Sequence, residues 1–444
     1  MNNPVVNWWR SLQFKLALRR GSDRRTGEIL EKIWNSGAKL SPLQKVYLEK
    51  LQAQETIQAQ KQEIQALQHQ YTQLSQKIQD YQELLDFLPP GIPTIFPNQE
   101  FLQQVRQDLN LQEIDEALVQ CTGVDEVFNK FDQNLAQFCR DKVNQIKEQK
   151  KKEDFFDKLQ SALLDLKKLK KGQDPNYDGD DATVYTYLIR YFLENVYCNY
   201  IAWYYIYQNQ LLPTNLTMLD IGAGPATVAF GLALLIESSF SFGTQTSPNI
   251  CYFSLDKQKM FQFRGLQFWR KYIESKQSPP NAYFRFVTKD ILKPDLEIEK
   301  LPKQFFNFIV ISHCFFSDSD SQVCAKHNYT RIIQNCLQPD GYVLLIVQNK
   351  KLFRIYNESL SDDIEQEKEI VNKFLGELGL QLVWYKCLSS TESRQPLGRK
   401  RFRQYATDRL AAQQYISKVA QEYLGIPYDY SYVLDDYIIL ASYN

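Results

Sequence analysis

The longest regular pattern of apolar positions is a heptad repeat in the first quarter of the chain. Its members recur every seven residues in two sets offset by three: Ile57, Ile64, Tyr71, Ile78 and Leu85, then Leu67, Leu74, Tyr81 and Leu88. This is the a and d spacing of a coiled coil, and Pro89 and Pro90 end it. We predict a coiled coil over 41–90. It forms either a homodimer, the alternative that we favour, or an antiparallel pair with another helix of the chain.

Residues 1–40 combine apolar residues at helical spacing with a run of cations. The apolar members are Trp8, Trp9, Leu12 and Leu16, and the cations are Arg19, Arg20, Arg24 and Arg25. This pattern predicts a basic amphipathic helical segment. Its apolar side either packs against the protein's own core, as most such sides do, or lies on an anionic membrane or on RNA.

Helical periodicity continues through 91–176, which we predict to be a helical region. Apolar residues recur at i, i+3, i+4 and i+7 in the stretches that begin at Val124 and at Phe155. The turn-rich stretch GQDPNYDGDD, 172–181, indicates a linker. The aromatic-rich stretch 184–207 that follows predicts two buried helices.

From Leu216 onward, strand and helix patterns alternate. Seven short apolar runs qualify as strands: TMLDI, ICYFSLD, YFRFVTKD, FNFIVIS, GYVLLIVQ, LQLVWYK and YVLDDYIILAS. The first five are separated by helical segments, which implies parallel strands with helices on both faces. The fold class predicted for 177–444 is therefore α/β, a doubly wound, seven-stranded and mostly parallel sheet. Such a sheet binds its ligand beyond the carboxyl ends of its strands.

Composition narrows the classes of function. The 444-residue chain has 52 Lys and Arg against 52 Asp and Glu, so its net charge does not point to nucleic acid. Its eight cysteines include no C-x-x-C pair, which argues against a zinc site or a disulfide framework and for a reducing compartment. No apolar run reaches the ~20 residues of a membrane span, and the chain does not begin with a secretory leader. We expect a cytoplasmic protein without a bound metal.

The stretch LDIGAGPAT, 219–227, predicts a strand, a glycine turn and a helix. This junction brings backbone N–H groups close to a ligand, and both dinucleotides and S-adenosylmethionine use it. Thr227 stands where the dinucleotide fingerprint G-x-G-x-x-G has its third glycine, and Pro225 has no N–H for a pyrophosphate. S-adenosylmethionine has no phosphate, so these losses matter less to it.

Two acids follow at the ends of the next two predicted strands. Asp256 ends the second, where a carboxylate can accept hydrogen bonds from both ribose hydroxyls. It stands 32 residues after Gly224, more than the usual ~20, because a loop at 238–249 is inserted. Asp290 follows the third strand, close to where an adenine amine would lie. Their positions suit a nucleoside ligand.

These stretches, in this order, resemble class I S-adenosylmethionine-dependent methyltransferases. LDIGAGPAT, SLD, TKDIL, FNFIVISHCF and LQPDGYVLLI match the family's glycine motif, ribose acid, adenine acid, fourth strand and the turn before its fifth strand. The likeness spans Tyr185 to Asn444. It implies S-adenosylmethionine as the cofactor, bound by five residues: Asp220, Gly222 and Gly224 at the methionyl part, Asp256 at the ribose and Asp290 at the adenine.

The chain departs from the family's pattern at two positions. Asn307 stands where an acid is common, and Ala226 replaces the last glycine of the turn, a swap between two small residues. A looser likeness, carried by YLIRYF, LDIGAGPAT and FIVISHCFFSD, is to methyltransferase-like proteins that assist small ribosomal subunits in mitochondria. Those proteins bind an iron–sulfur group through a cysteine cluster, which the scattered cysteines here do not reproduce.

Methyl transfer needs a positioned acceptor and, for some acceptors, a base. The Asn/Asp-Pro-Pro-Tyr/Phe motif for exocyclic amines is absent, because ISHCFF occupies its place. His313, just past the fourth predicted strand, is the candidate catalytic base, and a hydrogen-bonded structural histidine is the alternative. The other two histidines, His69 and His327, fall in the coiled coil and on the predicted surface.

A basic patch follows the sixth predicted strand. Its cations are Arg394, Arg399, Lys400, Arg401 and Arg403, with Phe402 and Tyr405 among them. From Arg399 onward they are candidate substrate-binding residues for RNA or another phosphorylated substrate, and a solvated loop is the alternative. Two functions remain open: a methyltransferase, or an inactive adaptor or assembly factor that acts through its coiled coil and basic patches.

Overall fold

The computed structural model describes residues 4–53, 92–149, 152–177, 181–243, 247–294, 296–426 and 430–443. The chain divides into two compact units, Met1–Gly91 and Ile92–Asn444. The predicted heptad seam and His69 lie outside the described residues, so the coiled coil and its homodimer stay predictions. Among the helices that are described, none is both long and apolar enough to span a bilayer.

The first unit is helical. Its helices are α1 (Pro4–Arg19), α2 (Asp23–Trp34) and α3, which begins at 42 and is described as far as 53. Four buried side chains form their core: Phe14, Leu30, Ile33 and Tyr47. The Tyr47 hydroxyl donates a hydrogen bond to Asp23 Oδ1 at 2.7 Å, which fixes α3 against the start of α2. The predicted helical segment is therefore present, and one side of α1 packs inward.

The second unit is built from strands and helices in alternation. Its strands are β1 (Gln112–Glu113), β2 (Leu118–Gln120), β3 (Asn215–Ile221), β4 (Asn249–Asp256), β5 (Ala282–Thr288), β6 (Phe306–Ser312), β7 (Leu337–Gln348), β8 (Leu380–Ser389) and β9 (Asp435–Tyr443). Its helices are α4 (Gln99–Asp108), α5 (Glu126–Gln149), α6 (Lys152–Leu166), α7 (Asp181–Tyr187), α8 (Leu193–Gln208), α9 (Thr227–Ser239), α10 (Lys259–Tyr272), α11 (Ser319–Cys336), α12 (Asn349–Ile355), α13 (Ile364–Gly376), α14 (Arg399–Arg409) and α15 (Ile416–Leu424).

The strands form one mixed, mostly parallel sheet in the order β1-β2-β8-β9-β7-β6-β3-β4-β5. The described sheet has nine strands rather than the predicted seven, which correspond to β3 through β9. From β3 the chain winds outward through β4 and β5, and then returns to β6 and β7 on the other side of β3. The order of the parallel strands therefore reverses between β3 and β6, which is where a doubly wound sheet opens a crevice for a ligand.

The two additional strands come from the predicted helical region, 91–176. β2 pairs parallel with β8, with Leu118 opposite Cys387, and β1 folds back antiparallel onto β2. At two and three residues, they are too short to show a periodicity. Helix α5 also packs against the sheet domain's helices, because Phe131 contacts Phe230 and Phe268 at ring distances of 5.6 and 5.5 Å. The helical region and the sheet thus share one core.

The aromatic-rich stretch forms one long helix rather than the two predicted. A π-helical turn, Leu188–Phe192, joins α7 to α8 without a break. Helix α8 is buried along most of its length, and its polar groups find partners inside the protein. Trp203 Nε1 donates to the Val228 carbonyl at 3.1 Å, and the Tyr200 hydroxyl donates to Asp125 Oδ2 at 3.0 Å. The aromatic side chains of this stretch therefore form part of the hydrophobic core.

Arg394, included in the predicted basic patch, is instead a buried structural cation. Its Nη1 lies 2.7 Å from Asp115 Oδ2, and its Nε lies 2.7 Å from Glu367 Oε2. The hydroxyl of Tyr437 donates to the same Glu367 oxygen at 2.6 Å. The Arg394 guanidinium holds the pKa of Asp115 well below its usual range. This cluster joins the loop before β2 to α13 and to the end of β8.

We expect Arg394→Ala to destabilise the protein by about 3–5 kcal/mol, because it leaves the fully buried Glu367 carboxylate without its cation. Urea unfolding of the full chain measures this loss. Arg401→Ala is the matched control, since Arg401 is exposed, and it should stay within about 0.5 kcal/mol of wild type. Equal effects of the two substitutions would contradict a structural role for Arg394.

Candidate functional site

A cavity opens at the carboxyl ends of the parallel strands, on both sides of the point where their order reverses. It contains about 1050 Å³ of space, part of it open to solvent. Its lining comes from the ends of five strands and the residues that follow them: Gly222 and Gly224 after β3, Asp256 and Gln258 at β4, Asp290 and Ile291 after β5, Ser312, His313 and Cys314 at β6, and Gln348 and Lys351 at β7 and the start of α12. The fold therefore brings together five of the six predicted cofactor-binding and catalytic residues.

The turn after β3 runs through left-handed backbone. Gly222 has φ +70° and Gly224 has φ +51°, which favour glycine. Ala226 also has a positive φ, +68°, although it carries a Cβ, and this conformation costs about 1–2 kcal/mol. At this position alanine therefore carries a conformational cost that glycine would not, although the two residues are similar in size. A Cβ on Gly222 would lie 2.4 Å from Cys314 Sγ, so a side chain does not fit there.

The amides of this turn are already engaged. Each donates to an oxygen of the protein: Gly222 and Ala223 to the Leu255 carbonyl at 2.8 and 3.2 Å, Gly224 to Asp256 Oδ2 at 2.8 Å, and Ala226 to the Ala223 carbonyl at 2.9 Å. Pro225 has no N–H. A pyrophosphate would find no free donor between 222 and 226, and it would meet the Asp256 carboxylate. The geometry of the turn disfavours a dinucleotide.

Asp256 is the last residue of β4 and faces the cavity. Its Oδ2 accepts the Gly224 N–H at 2.8 Å, and its Oδ1 accepts the Gln258 N–H at 2.6 Å. Burial raises the pKa of Asp256 to about 6, although these two hydrogen bonds and Lys257 act in the opposite direction. The group is therefore ionised at neutral pH. Each carboxylate oxygen keeps acceptor capacity, so Asp256 can bind ligand hydroxyls.

The two other predicted acids are placed differently. Asp290 lines the cavity after β5, and its Oδ1 accepts the Leu292 N–H at 3.0 Å. Asp220 is buried within β3 and is not among the described lining residues. Its Oδ2 accepts the Tyr252 hydroxyl at 2.5 Å, while its Oδ1 has no partner in the described part of the chain. Burial raises the pKa of Asp220 to about 7. A ligand group would have to reach inward to contact it.

His313 lines the cavity, but both of its ring nitrogens have partners inside the protein. Nδ1 lies 3.0 Å from Ser312 Oγ, and Nε2 lies 3.1 Å from Asp436 Oδ1. Its φ of +59° is unusual for a residue with a side chain. This geometry favours the hydrogen-bonded alternative over an unengaged base. His327 is exposed on α11.

One group of side chains could hold a metal ion, judged over the described residues. The donor atoms of Cys198, His313 and Asp436 lie within 4.8 Å of one another. The hydrogen bond between His313 and Asp436 already satisfies two of them, and burial raises the pKa of Cys198, which keeps its thiol protonated. The hydrogen bond between His313 and Asp436 therefore explains why these side chains lie close together. Burial likewise raises the pKa of Cys314 to about 12, which argues against a thiolate nucleophile there.

Lys351, on α12, is a cavity residue that the sequence analysis missed. It is only 4% exposed, and none of the described residues forms an ion pair or a side-chain hydrogen bond with its ammonium group. Burial lowers the pKa of Lys351 to about 8. A buried, unpaired cation is costly to a folded protein. Its place on the cavity wall makes it a candidate for binding an anionic group or for accepting a proton.

Residues 172–177, which we call the strap, cover part of the cavity. They belong to the stretch predicted to be a linker. Gly172, Asp174 and Tyr177 line the cavity from this side. The Gly172 carbonyl accepts the Ser317 N–H at 2.7 Å, and Asp174 forms an ion pair with Lys257. The strap is thus fixed to the loops after β6 and after β4. Its turn-rich composition carries no periodicity that would indicate such a role.

The helical wall of the cavity was also missed, although the sequence contains a signal for it. Tyr187, Tyr191 and Asn195 line the cavity, and Asn195 Nδ2 donates to the Tyr187 hydroxyl at 2.9 Å. Their spacing of four places them on one side of a helix. Tyr191 lies in the π-helical turn, and such turns are frequent at functional sites.

The predicted substrate-binding cations lie on a separate surface. Arg399, Lys400, Arg401 and Arg403 occupy the first turns of α14, where they are exposed, and none is among the described residues that line the cavity. The nearby Tyr405 hydroxyl accepts a hydrogen bond from Gln120 Nε2 at 2.7 Å, which fastens α14 to β2. Cations at the start of a helix oppose its dipole. Helix stability therefore does not account for them.

No family model matches the sequence, and no curated protein matches it. Several solved structures show a partial similarity to this chain. They include an S-adenosylmethionine-dependent methyltransferase from Methanosarcina mazei (12% identity, 53% of this chain and 96% of that chain, TM-score 0.29), loganic acid methyltransferase with SAH (9%, 61% and 98%, 0.30) and a fibrillarin/Nop5p complex (11%, 52% and 75%, 0.27). At these identities and TM-scores the likenesses carry no argument about chemistry, which must come from this chain's own residues.

We expect Lys351→Met to stabilise the protein by about 3 kcal/mol at pH 7, because it removes a buried cation whose pKa is lowered from 10.5 to about 8. Between pH 8 and 10.5 the folded wild type releases its proton before the unfolded chain does. Wild type therefore gains stability over this range, and the advantage of the variant shrinks. Urea unfolding at pH 7 and pH 10 measures both effects.

Lys326→Met is the matched control for that substitution. Lys326 is half-exposed and lies 3.1 Å from Glu377, so its removal should change stability little at either pH. A loss of stability in Lys351→Met at pH 7 would show that the ammonium group has a partner that holds it in place.

Proposed function

We propose that the second unit is an S-adenosylmethionine-dependent methyltransferase. The observation that carries the proposal is the turn after β3, whose amides are engaged and which lies against the Asp256 carboxylate. This turn suits a nucleoside ligand without phosphate and opposes a pyrophosphate. The position of the cavity, beyond the carboxyl ends of β3 and β6, supports the same ligand class.

The cavity offers groups for each part of this cofactor. Asp256 would accept hydrogen bonds from the ribose hydroxyls, and Asp290 would accept one from the adenine amine. Gly222 and Gly224 leave room for the methionyl part, and the unpartnered Oδ1 of Asp220 would accept from its ammonium group. When bound, S-adenosylmethionine supplies an activated methyl group for in-line displacement. These acceptors and the space beside the glycines fit the cofactor.

The end of the cavity formed by β6 and β7 is the proposed acceptor compartment. Lys351 would hold an anionic acceptor or take up the proton that an acceptor loses, since a pKa near 8 suits a base at neutral pH. His313, the base expected from the sequence, would first have to give up its hydrogen bond to Ser312 or to Asp436. We therefore propose that His313 positions the loop after β6 and that Lys351 carries the proton or the charge.

RNA or another phosphorylated molecule is the substrate class that the exposed cations of α14 favour. Four cations in two helical turns, against the helix dipole, suit a polyanion. The adaptor alternative rests on the same patch and on the predicted coiled coil. Binding of the cofactor together with label transfer distinguishes an enzyme from an adaptor, which would transfer none.

We expect the wild-type protein to bind S-adenosylhomocysteine and not to bind NAD comparably. Asp256→Asn should weaken this binding by about ten- to a hundredfold, because charge-assisted hydrogen bonds contribute roughly 1.5–3 kcal/mol. Isothermal titration calorimetry of the full chain measures both ligands. Asp340→Asn, an exposed acid at the start of β7, is the control and should bind as wild type does. Tight binding of NAD, or no binding of either ligand, would reject the assignment.

The affinity for S-adenosylhomocysteine should also depend on pH. Ribose hydroxyls donate to the ionised form of Asp256, whose pKa lies near 6. Affinity should therefore fall about tenfold between pH 7.5 and pH 5, as the carboxylate takes up its proton. Asp256→Asn removes this contribution, so its affinity should fall less than that of wild type over the same range, and the remaining fall comes from Asp220, whose pKa lies near 7. Equal falls in affinity for wild type and variant would remove Asp256 from the ligand contacts.

We expect the cations of α14 to contribute a salt-dependent affinity for RNA. Replacement of Arg399 and Arg401 by Gln should lower the affinity for a single-stranded RNA and reduce the slope of log affinity against log salt by about one to two, since fewer counterions are released. Filter binding at several salt concentrations measures the slope. Lys326→Gln is the control on another surface. If wild type shows no salt-sensitive binding, the patch is a solvated helix start.

A further inference from the structure

Helix α1 has two apolar sides, of which one is buried and the other is exposed, judged over the part of the chain that the structure describes. Phe14 and Ala17 are buried against α2 and α3, together with Asn7. The opposite side exposes a second apolar set at i, i+3, i+4, i+7 and i+11, which we call the outer stripe: Val5, Trp8, Trp9, Leu12 and Leu16. Trp8 is 65% and Trp9 is 54% exposed. Large exposed apolar surfaces of this kind mark interaction sites.

Cations border the outer stripe. At about 100° per residue, Lys15 lies on one side of it and Arg19 lies along it, while Arg20 directly follows the last residue of α1. None of the three has an ion-pair partner among the described residues. Residues 4–53 contain ten Lys and Arg against four Asp and Glu, whereas the whole chain is balanced at 52 of each. The first unit therefore carries a positive charge that the overall composition conceals.

We propose that α1 docks on an anionic lipid surface through its outer stripe. Trp and Leu on one side of a helix with Lys and Arg around them are the composition of helices that lie in the plane of a membrane interface. Tryptophan is favoured at the boundary between lipid tails and headgroups. The cations would lie at the level of the anionic headgroups.

The aliphatic members of the outer stripe decide between a lipid and RNA. Aromatic rings and cations suit both, because bases stack on rings and phosphates attract cations. Val5, Leu12 and Leu16 gain nothing from a phosphate backbone, whereas each removes apolar surface from water in a lipid interface. The pattern therefore favours a lipid surface, and RNA becomes an outcome of the test.

The test is sedimentation of the full-length protein with vesicles of phosphatidylcholine alone and of phosphatidylcholine with phosphatidylserine at a ratio of about two to one. We expect binding to the anionic vesicles, little binding to the neutral ones, and weaker binding as salt rises, because the attraction is screened. Trp8→Ser together with Trp9→Ser should lower binding at least tenfold. Arg19→Gln together with Arg20→Gln should lower it about thirtyfold, at ~1 kcal/mol for each cation near the surface.

Trp34→Ser is the matched control, because Trp34 is an exposed tryptophan of the same unit at the end of α2. It should bind anionic vesicles within about twofold of wild type. Circular dichroism of each variant shows whether the helices persist, and the two double variants test the proposal independently of each other. Absent binding to anionic vesicles, equal binding to neutral ones, or an equal loss in Trp34→Ser would overturn the proposal. So would binding of RNA that depends on Trp8 and Trp9 while vesicles are ignored.

Discussion

The hydrogen bond from the Gly224 N–H to Asp256 Oδ2 joins the first turn of the doubly wound sheet to the end of its second strand, and the candidate site depends on it. The register of β3 and β4 makes it possible, because Ile221 lies opposite Leu255 and the turn therefore lies at the level of Asp256. The bond takes up an amide that a phosphate would need. It also fixes a carboxylate at the cavity wall. One contact thus disfavours one class of ligand and fixes a hydrogen-bond acceptor for another.

Much of this site could be predicted because it follows from the order of elements along the chain. The strands β3 to β7 are long apolar runs, and residues that end parallel strands converge at one edge of the sheet. Gly222, Gly224, Asp256, Asp290 and His313 could therefore be placed near one another from the sequence alone, and all five line the cavity. Asp220 was placed there too. It lies inside β3 instead, one residue before the end of the strand, where its carboxylate contacts Tyr252 of the neighbouring β4.

The parts that could not be predicted depend on contacts between distant segments. β2 is a strand because β8 offers it an edge, and β1 is a strand because it pairs with β2. The strap at 172–177 has the composition of any linker, and only its contacts with Ser317 and Lys257 reveal its position. The conformational cost at Ala226 comes from its positive φ angle, which the residue type does not indicate. Local patterns carry no information of this kind.

Arg394 and Lys351 show why a buried charge is informative only together with its partners. Both side chains are only 4% exposed. From the sequence, Arg394 was predicted to belong to a surface patch, and Lys351 was not identified as a site residue. Two carboxylates hold Arg394, so its burial serves the fold. Lys351 has no such partner among the described residues, burial lowers its pKa, and it faces a cavity. A protein that kept this fold only as an adaptor would be more stable with an apolar residue there, and a destabilising group on a cavity wall is typical of a site that trades stability for function. Lys351 therefore supports the proposed binding or catalytic role of the cavity.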